Sequence, residues 1–383
     1  MENNQGRKYR SALILGAGPF AQLLVSEIAA RPACRIKVAG MVAESNCAKL
    51  RFFGCPVLGE AENLQQVIQK VNPDMIIVSL SEGSNFRSHH HLMEARVCRD
   101  MDVEDGEAVY EWLTGKLPIE EMTPGAVIFC QDFNPPRHAL VLTRFFSLLF
   151  AVIGLVVLAP LLMMISLLIK LDSRGPVLFV QERIGLGGCR FRLYKFRTMR
   201  PTVDKTSEWA GDNTHRITRL GHWLRKFRLD ELPQFINVLK GDMNVVGPRP
   251  HPASNFELFV LVSRNTPTCG GQIPYYSIRS KVRPGITGWA QVRYRYANNL
   301  NEEIEKLRFD LYYVKHYSLW LDMRILFETV KVVGGGRESE EIKTPDTRIG
   351  NIETAAHQQS VSSIPPTVAY PASRRPATRS QAL

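Results

Sequence analysis

The chain has 383 residues and a formal net charge of +11, from 48 Lys and Arg against 37 Asp and Glu. This length allows two domains with cores of their own, and the basic excess predicts a polyanionic partner such as nucleic acid, an anionic membrane or a phosphorylated substrate. The 7 cysteines are scattered without a CxxC pair, which argues against a disulfide framework and a zinc site and is typical of a reducing cytosol.

Residues 8 to 130 alternate strand-like and helix-like segments. Buried strands are expected at residues 11–15, 36–42 and 74–80, with one helix after the first strand and another at 61–71. This alternation predicts a parallel sheet with helices on its faces.

A glycine-rich loop, GAGPFA, follows the first strand. Gly16, Gly18 and Ala21 fit the GxGxxA dinucleotide pattern, in which glycines let the backbone approach a pyrophosphate at a helix N-terminus. An acidic residue should end the second strand to hold a ribose, but Ala43 stands there and Glu44 comes one residue later. Two interpretations stay open: a working nucleotide site, or a Rossmann-like domain whose loop binds nothing essential, which is the one we favour.

A long apolar run without a charged residue extends from residue 145 to residue 169. About 20 such residues suffice to span a bilayer as a helix. However, Pro160 should kink a helix formed by this run. Cations also flank both ends, and by the positive-inside rule this predicts that both ends are cytoplasmic. We therefore expect a re-entrant helix hairpin over residues 139–170, because the roughly 15 residues before the proline would reach about 22 Å, enough for one leaflet.

A basic segment follows at residues 190–200, after a short predicted strand at 177–181 and a glycine loop at 185–188. If this segment is also a strand, alternate cations such as Lys195 and Arg197 share one face, which suits phosphates. A solvated cationic face is the simpler alternative. Charge alone would also permit nucleic acid, but no helix-turn-helix, zinc-finger or RNP-type pattern supports it, so nucleic acid is not an expected partner.

Two adjacent carboxylates, Asp230 and Glu231, lie among arginines in the stretch RLDELPQ. Pro233 predicts a helix start just after them, so they should lie near the positive end of a helix dipole, with the arginines keeping Asp230 ionised at neutral pH. An ionised aspartate beside cation-held phosphates can be a nucleophile, and Glu231 can carry Mg²⁺. Helix capping is the alternative, but the rigid GPRP turn that presents Arg249 favours phosphate chemistry.

Five sequence blocks occur in order between about residue 140 and residue 335: GPVLFVQERIG, YKFRTM, LDELPQFINVLKGDMNVVGPRP, RPGITGWAQV and LRFDLYYVKHYSLWLD. With them this region resembles the bacterial sugar transferases of the polyprenyl-phosphate hexose-1-phosphate transferase family, also called monotopic phosphoglycosyl transferases. The N-terminal zone looks like the Rossmann-like domain of larger, exopolysaccharide-associated members.

The resemblance implies an α/β fold in four parts. A Rossmann-like parallel-sheet domain (8–130) would precede the re-entrant membrane helix (139–170) and a small α/β membrane-associated transferase domain (171–335), with a disordered tail at 337–383. The expected localisation is the bacterial inner membrane, with the soluble domains on the cytoplasmic face and membrane lipid as a partner.

The implied reaction transfers a sugar-1-phosphate from a UDP-sugar to undecaprenyl phosphate and releases UMP. Asp230 would attack the β-phosphorus to give a phosphosugar–aspartyl intermediate, and Glu231 would hold the Mg²⁺ cofactor. The remaining site residues implied by the matching blocks are the phosphate-binding Arg249, Arg225, Lys195 and Arg197, and the supporting Asp310 and Asp322.

Two departures from the family pattern stand out. Many members have Ser-Pro where this chain has Ala159-Pro160, and close relatives often carry Glu where His251 follows the Pro-Arg-Pro turn. Other functions stay open: a nucleotide-dependent oxidoreductase or epimerase, and a non-enzymatic membrane regulator or nucleotide-binding scaffold. The sequence does not identify the sugar, the role of the N-terminal domain or the oligomeric state, homo-oligomers included.

Overall fold

A computed structural model of the chain describes residues 9–43, 51–52, 54–79, 92–93, 96, 101–119, 122, 133–200, 216–253, 275–294 and 300–334. By its internal contacts the chain divides into two units, Met1–Ser339 and Glu340–Leu383, and every described residue belongs to the first. The predicted tail at 337–383 lies outside the described residues.

The N-terminal zone contains a six-stranded sheet with the order β3-β4-β2-β1-β5-β6. Its strands are β1 (Arg10–Leu15), β2 (Ile36–Ala43), β3 (Arg51–Phe52), β4 (Cys55–Glu60), β5 (Met75–Val78) and β6 (Asp102–Asp105). Neighbouring strands are parallel except for the pair β3–β4. The prediction of a parallel sheet from the strand–helix alternation is therefore confirmed.

Strand β1 is buried on both faces of this sheet. The helices of the zone are α1 (Pro19–Ala30), α2 (Leu64–Val71) and α3 (Gly106–Thr114). Ala12 and Ile14 pack with α1 and α3, whereas Leu13 and Leu15 pack with α2. Because successive side chains of a strand point to opposite faces, an unbroken apolar strand of this kind requires a helix layer on each side.

Helix α4 (Arg137–Asp172) is 36 residues long and contains Pro160 in its interior. By length and composition it could cross a membrane. Its buried residues lie towards its two ends, with Ser147 and Ala151 before the proline and Ile165 and Ile169 after it. Between them the helix is largely exposed and apolar, so much of this hydrophobic segment is not covered by the described residues.

The region after α4 combines two small sheets with short helices. Strands β7 (Leu178–Ile184) and β8 (Arg190–Phe196) form an antiparallel hairpin, and β9 (Asn244–Val246) pairs with β10 (Gly285–Thr287) in parallel. The helices of this region are α5 (Arg219–Lys226), α6 (Gln234–Lys240), α7 (Trp289–Arg293), α8 (Leu300–Lys315) and α9 (Leu319–Gly334).

Polar contacts fasten the first half of α4 to this region. Arg144 donates from Nη1 to the carbonyl of Met243 at 2.8 Å and from Nη2 to that of Val238 at 2.7 Å. Ser147 Oγ accepts from the backbone N–H of Val245 at 3.2 Å. These bonds fix the helix beside α6 and β9, the two elements that flank the carboxylate pair and the Pro-Arg-Pro turn.

Candidate active site

Asp230 and Glu231 lie in a short 3₁₀ turn, Leu229–Glu231, between α5 and α6. Arg228 enters this turn in the left-handed region, with φ of 53°, and Pro233 stands at the N-cap of α6. Both carboxylates are buried, with 9% and 8% of their surface exposed. They therefore lie close to a helix start, as predicted, but in a separate turn rather than in the helix.

Two arginines surround the Glu231 carboxylate. Arg249 Nη2 donates to Oε1 at 2.9 Å, and Arg228 Nη1 lies 4.0 Å from Oε2. Burial alone would raise the pKa of Glu231, but Arg249 and Arg228 outweigh it and hold this pKa below its usual value. Glu231 is therefore an anion at neutral pH.

Asp230 behaves differently from its neighbour. Burial, with the nearby charge of Glu231, raises the pKa of Asp230 to about 6, although Lys195, Arg249 and Arg225 act in the opposite direction. Burial therefore outweighs the arginines that were expected to keep Asp230 ionised. With a pKa about one unit below neutral pH, the ionised form still exceeds the protonated form roughly tenfold at pH 7.

A small cationic pocket opens next to the carboxylates. It is lined by Arg183, Lys195, Glu231, Gln234, Arg249, Leu193, Pro250, Gly285 and Ile286. Burial lowers the pKa of Lys195 to about 8, helped by Arg183 and Arg249 and opposed by Asp230 and Glu231. The pocket therefore presents several cations to any phosphate that enters it.

Arg183 is a pocket residue that was not predicted. It lies on β7 and shares a hairpin face with Lys195, because Phe179 pairs with Lys195 and Arg183 pairs with Phe191 in the same register. Its Nη1 donates to the carbonyl of Pro250 at 3.0 Å. The strand predicted at 177–181 ends too early; an extension to residue 184 would have placed Arg183 on the cationic face.

Arg279, also unpredicted, supports the Pro-Arg-Pro turn from behind. Its Nη2 donates to the carbonyl of Arg249 at 2.9 Å and lies 2.7 Å from Asp310 Oδ2. Its Nη1 donates to the hydroxyl of Tyr276 at 3.0 Å and lies next to His251. Asp310, predicted as a supporting residue, thus reaches the site through Arg279.

The other predicted residues lie farther back. Arg225 donates from Nε to Thr198 Oγ1 at 3.0 Å and acts on Asp230 through its charge. Arg197 is buried at the end of α4, where it donates to the carbonyl of Ser173 at 2.7 Å. Asp322 accepts from the hydroxyl of Tyr313 at 2.7 Å. The structure therefore gives Arg197 and Asp322 contacts away from the pocket.

The predicted nucleotide loop belongs to the N-terminal sheet. Gly16 has φ of +121°, and a Cβ there would lie 2.0 Å from the carbonyl oxygen of Ser79, so only glycine fits. Gly18 caps α1, and Ala21 is fully buried against the sheet. Packing therefore accounts for Gly16 and Ala21, and Gly18 serves as the N-cap of α1.

The carboxylate pair can be tested as a metal site. Among the described residues, no group of three or more His, Cys, Asp or Glu side chains is arranged to hold an ion. Mg²⁺ usually takes one or two carboxylates and completes its shell with phosphate oxygens and water. The anionic Glu231 fits Mg²⁺ shared with a phosphorylated ligand, and the described residues do not fit an all-protein cage.

Comparison with known proteins identifies the second half of the chain. The family model for "Bacterial sugar transferase" matches residues 138–336. The chain is 39% identical over 288 residues to a UDP-N-acetylgalactosamine-undecaprenyl-phosphate N-acetylgalactosaminephosphotransferase of Aeromonas hydrophila, covering 75% of this chain and 63% of that protein. It is 35% identical over 278 residues to a UDP-glucose:undecaprenyl-phosphate glucose-1-phosphate transferase of Escherichia coli, covering 70% and 57%.

A shorter relative is matched over nearly its whole length. The exopolysaccharide production protein PSS of Rhizobium leguminosarum is 43% identical over 195 residues, which are 50% of this chain and 94% of that protein. The chain spans about three fifths of the length of the first two relatives. A solved Rex-family repressor is 16% identical and covers 26% of this chain and 53% of its own, with a TM-score of 0.22, too low to bear on the fold.

The matched residues contain the features described above. Residues 138–336 include nearly all of α4, the cationic pocket, the carboxylate turn and the supporting Arg279–Asp310 pair. The match also covers more than half of the chain. The chain therefore belongs to the bacterial sugar transferase family.

Proposed function

We propose that this protein transfers a sugar-1-phosphate from a UDP-sugar to undecaprenyl phosphate and releases UMP. The observation that carries the proposal is the buried carboxylate pair beside a pocket with several cations. A pair of acids buried only to cap a helix would not need three nearby arginines and a lysine. The names of the Aeromonas and Escherichia relatives support the same reaction class.

In the first step, the Asp230 carboxylate attacks the phosphorus that carries the sugar. A bond forms between aspartate oxygen and phosphorus, and the bond from this phosphorus to the bridging oxygen breaks. UMP leaves with that oxygen and its electron pair. Asp230 suits this role because it is largely ionised at pH 7 while burial keeps it poorly solvated.

In the second step, a phosphate oxygen of undecaprenyl phosphate attacks the same phosphorus. The bond to Asp230 breaks, which regenerates the free carboxylate and leaves the sugar joined to the lipid through a diphosphate. Splitting the transfer lets one site meet a soluble donor and a lipid acceptor in turn.

Glu231 is the residue that would hold Mg²⁺. When bound, the ion would neutralise charge on the diphosphate and ease the departure of UMP. Arg249 and Lys195 would hold phosphate oxygens in the same pocket, and Arg249 can do so bidentately.

We further propose that α4 enters and leaves the same face of the membrane as a re-entrant hairpin. Its first half packs with Val238 and Val245, and its second half packs with Phe196 and Leu224, all in the region after α4. A helix that crossed the bilayer would carry its ends to opposite faces. The cations at both ends favour the cytoplasmic face of the bacterial inner membrane.

The N-terminal zone, about residues 8–130, is proposed to be a Rossmann-like domain. Support comes from the parallel order of its strands, with β2 and β5 on either side of β1. We assign no ligand to it. We propose that the whole protein initiates exopolysaccharide assembly, and the name of the Rhizobium relative supports a role in exopolysaccharide production.

Trapping the covalent intermediate tests the reaction. Detergent-solubilised protein is incubated with a panel of UDP-sugars, with and without undecaprenyl phosphate, and analysed for UMP release and intact mass. The expected result is a phosphosugar adduct on residue 230 that accumulates without the lipid and is absent in Asp230→Asn. Asp102→Asn, at an exposed carboxylate in the N-terminal sheet, is the matched control. Normal UMP release by Asp230→Asn would refute the mechanism and favour a non-enzymatic role.

A further inference from the structure

A second cavity, of about 250 Å³, adjoins the cationic pocket. Its body is apolar and is lined by Leu232, Phe235, Val292 and Val332, among others. Glu231 and Ile286 line both cavities, so the two spaces share a wall at the carboxylate turn. The polar pocket and the apolar cavity thus both border Glu231, the neighbour of Asp230.

The walls of the apolar cavity also contact the long helix α4. A Cβ added at Gly154 would lie 3.1 Å from the Phe235 ring, so this ring packs directly on the helix backbone before Pro160. Leu229, another lining residue, packs in the cluster that holds Ile165, which follows the proline. The cavity therefore joins the carboxylate turn to both halves of the apolar helix.

The lining chemistry favours an amphipathic anion. Arg228 lines the cavity close to Glu231, where it can meet a charged head group. The hydroxyls of Thr287 and Thr329 bond to each other at 2.7 Å, and Gln291 Nε2 donates to the carbonyl of Ile286 at 3.0 Å. Gln291 Oε1 has no hydrogen-bond partner among the described residues, but the rest of the lining is mostly apolar, so the cavity suits hydrocarbon over most of its wall.

We propose that this cavity binds the first isoprene units of the lipid acceptor, with the acceptor phosphate at Arg228. The assignment rests on the proposed function for its reaction but adds a subsite of its own. Pockets for whole drug-sized ligands measure about 300–1,000 Å³, so a cavity of about 250 Å³ holds only the part of the chain nearest the phosphate. The remaining chain would continue along α4 into the bilayer.

The test fills the cavity without touching the carboxylates. Val332→Trp places an indole in the cavity, and Val330→Trp, on the exposed face of the same helix, is the matched control. Two readouts are needed: direct binding of radiolabelled undecaprenyl phosphate in detergent, and the UMP burst with UDP-sugar alone. Val292→Phe provides a second filling variant, and melting temperatures establish that each variant is folded.

We expect Val332→Trp to weaken binding of undecaprenyl phosphate at least tenfold and to leave the UMP burst within twofold of the unmodified protein. Val330→Trp should change neither. Unchanged lipid binding in both filling variants would overturn the proposal, and so would a lost burst, which would assign the cavity to the nucleotide. If the unmodified protein gives no UMP burst, the proposed reaction is refuted. The comparison of lipid binding among the variants still shows whether the cavity binds the lipid.

Discussion

Replacing Arg279 by methionine should both destabilise the protein and displace Arg249. Arg279 is 6% exposed, and its guanidinium lies 2.7 Å from a carboxylate oxygen of Asp310, whose side chain is 2% exposed. Removing one partner of such a pair costs about 3–5 kcal/mol, because the other charge stays buried without compensation. The region of residues 138–336 has the size of a domain in which 1 kcal/mol shifts the melting temperature by roughly 2–4 °C, so its melting temperature should fall by about 10 °C.

A second effect separates support of the site from stability. Arg279 also donates to the carbonyl of Arg249 at 2.9 Å, and a hydrogen bond from a charged donor is worth about 1.5–3 kcal/mol. In Arg279→Met/Asp310→Asn both charges are gone, so most of the lost stability should return. Because the bond from Arg279 to the Arg249 carbonyl is still missing, kcat/KM for the UDP-sugar should stay about 10- to 100-fold low.

The assay combines thermal unfolding in detergent with UMP release at several UDP-sugar concentrations. Arg190→Met is the control, because Arg190 forms an exposed ion pair with Glu182 at 3.8 Å and should cost no more than about 1 kcal/mol. If the double variant regains both its melting temperature and its full kcat/KM, then Arg279 stabilises the fold but does not position Arg249.

Two further changes address single carboxylates. Glu231→Gln should slow UMP release and raise the Mg²⁺ concentration for half-maximal rate, because a neutral amide is a poor ligand for a hard cation; an unchanged Mg²⁺ titration would count against this role. Asp322→Asn should raise the melting temperature more at pH 8 than at pH 5, since burial raises the pKa of Asp322 from 3.8 to about 7. Between these pH values the folded protein binds more protons than the unfolded chain, so the free energy of unfolding of the unmodified protein falls as pH rises, by at most about 4 kcal/mol. An equal rise in melting temperature at both pH values would contradict a protonated Asp322.

Local sequence patterns were sufficient to predict the features that depend on nearest neighbours. Alternating segments predicted the parallel sheet, and the uncharged run predicted the long apolar helix. Pro233, which follows Asp230 and Glu231, predicted that a helix begins next to them, and helix α6 does begin there. Each of these depends on periodicity or on the restricted backbone of proline, both of which are readable in a short window.

The residues that were missed depend on contacts between distant parts of the chain. Arg279 meets Arg249 across 30 positions and Asp310 across 31, and no periodicity signals either contact. The pKa of Asp230 also depends on burial by several segments, which charge counting along the sequence ignores. Arg183 could have been predicted from local sequence, because a correct prediction of the end of β7 would have placed it on the cationic face.

The bond between Ser147 and the backbone of Val245 has a mechanical consequence. Val245 lies four positions before Arg249, so the turn that we propose binds phosphate is tied to the apolar helix at short range. If α4 sits in one leaflet as proposed, its depth of immersion sets how high the reacting groups stand above the lipid carbonyls. Bilayers of unusual thickness would then change the height of the active site above the membrane surface. Turnover would change with it, even when every substrate is saturating.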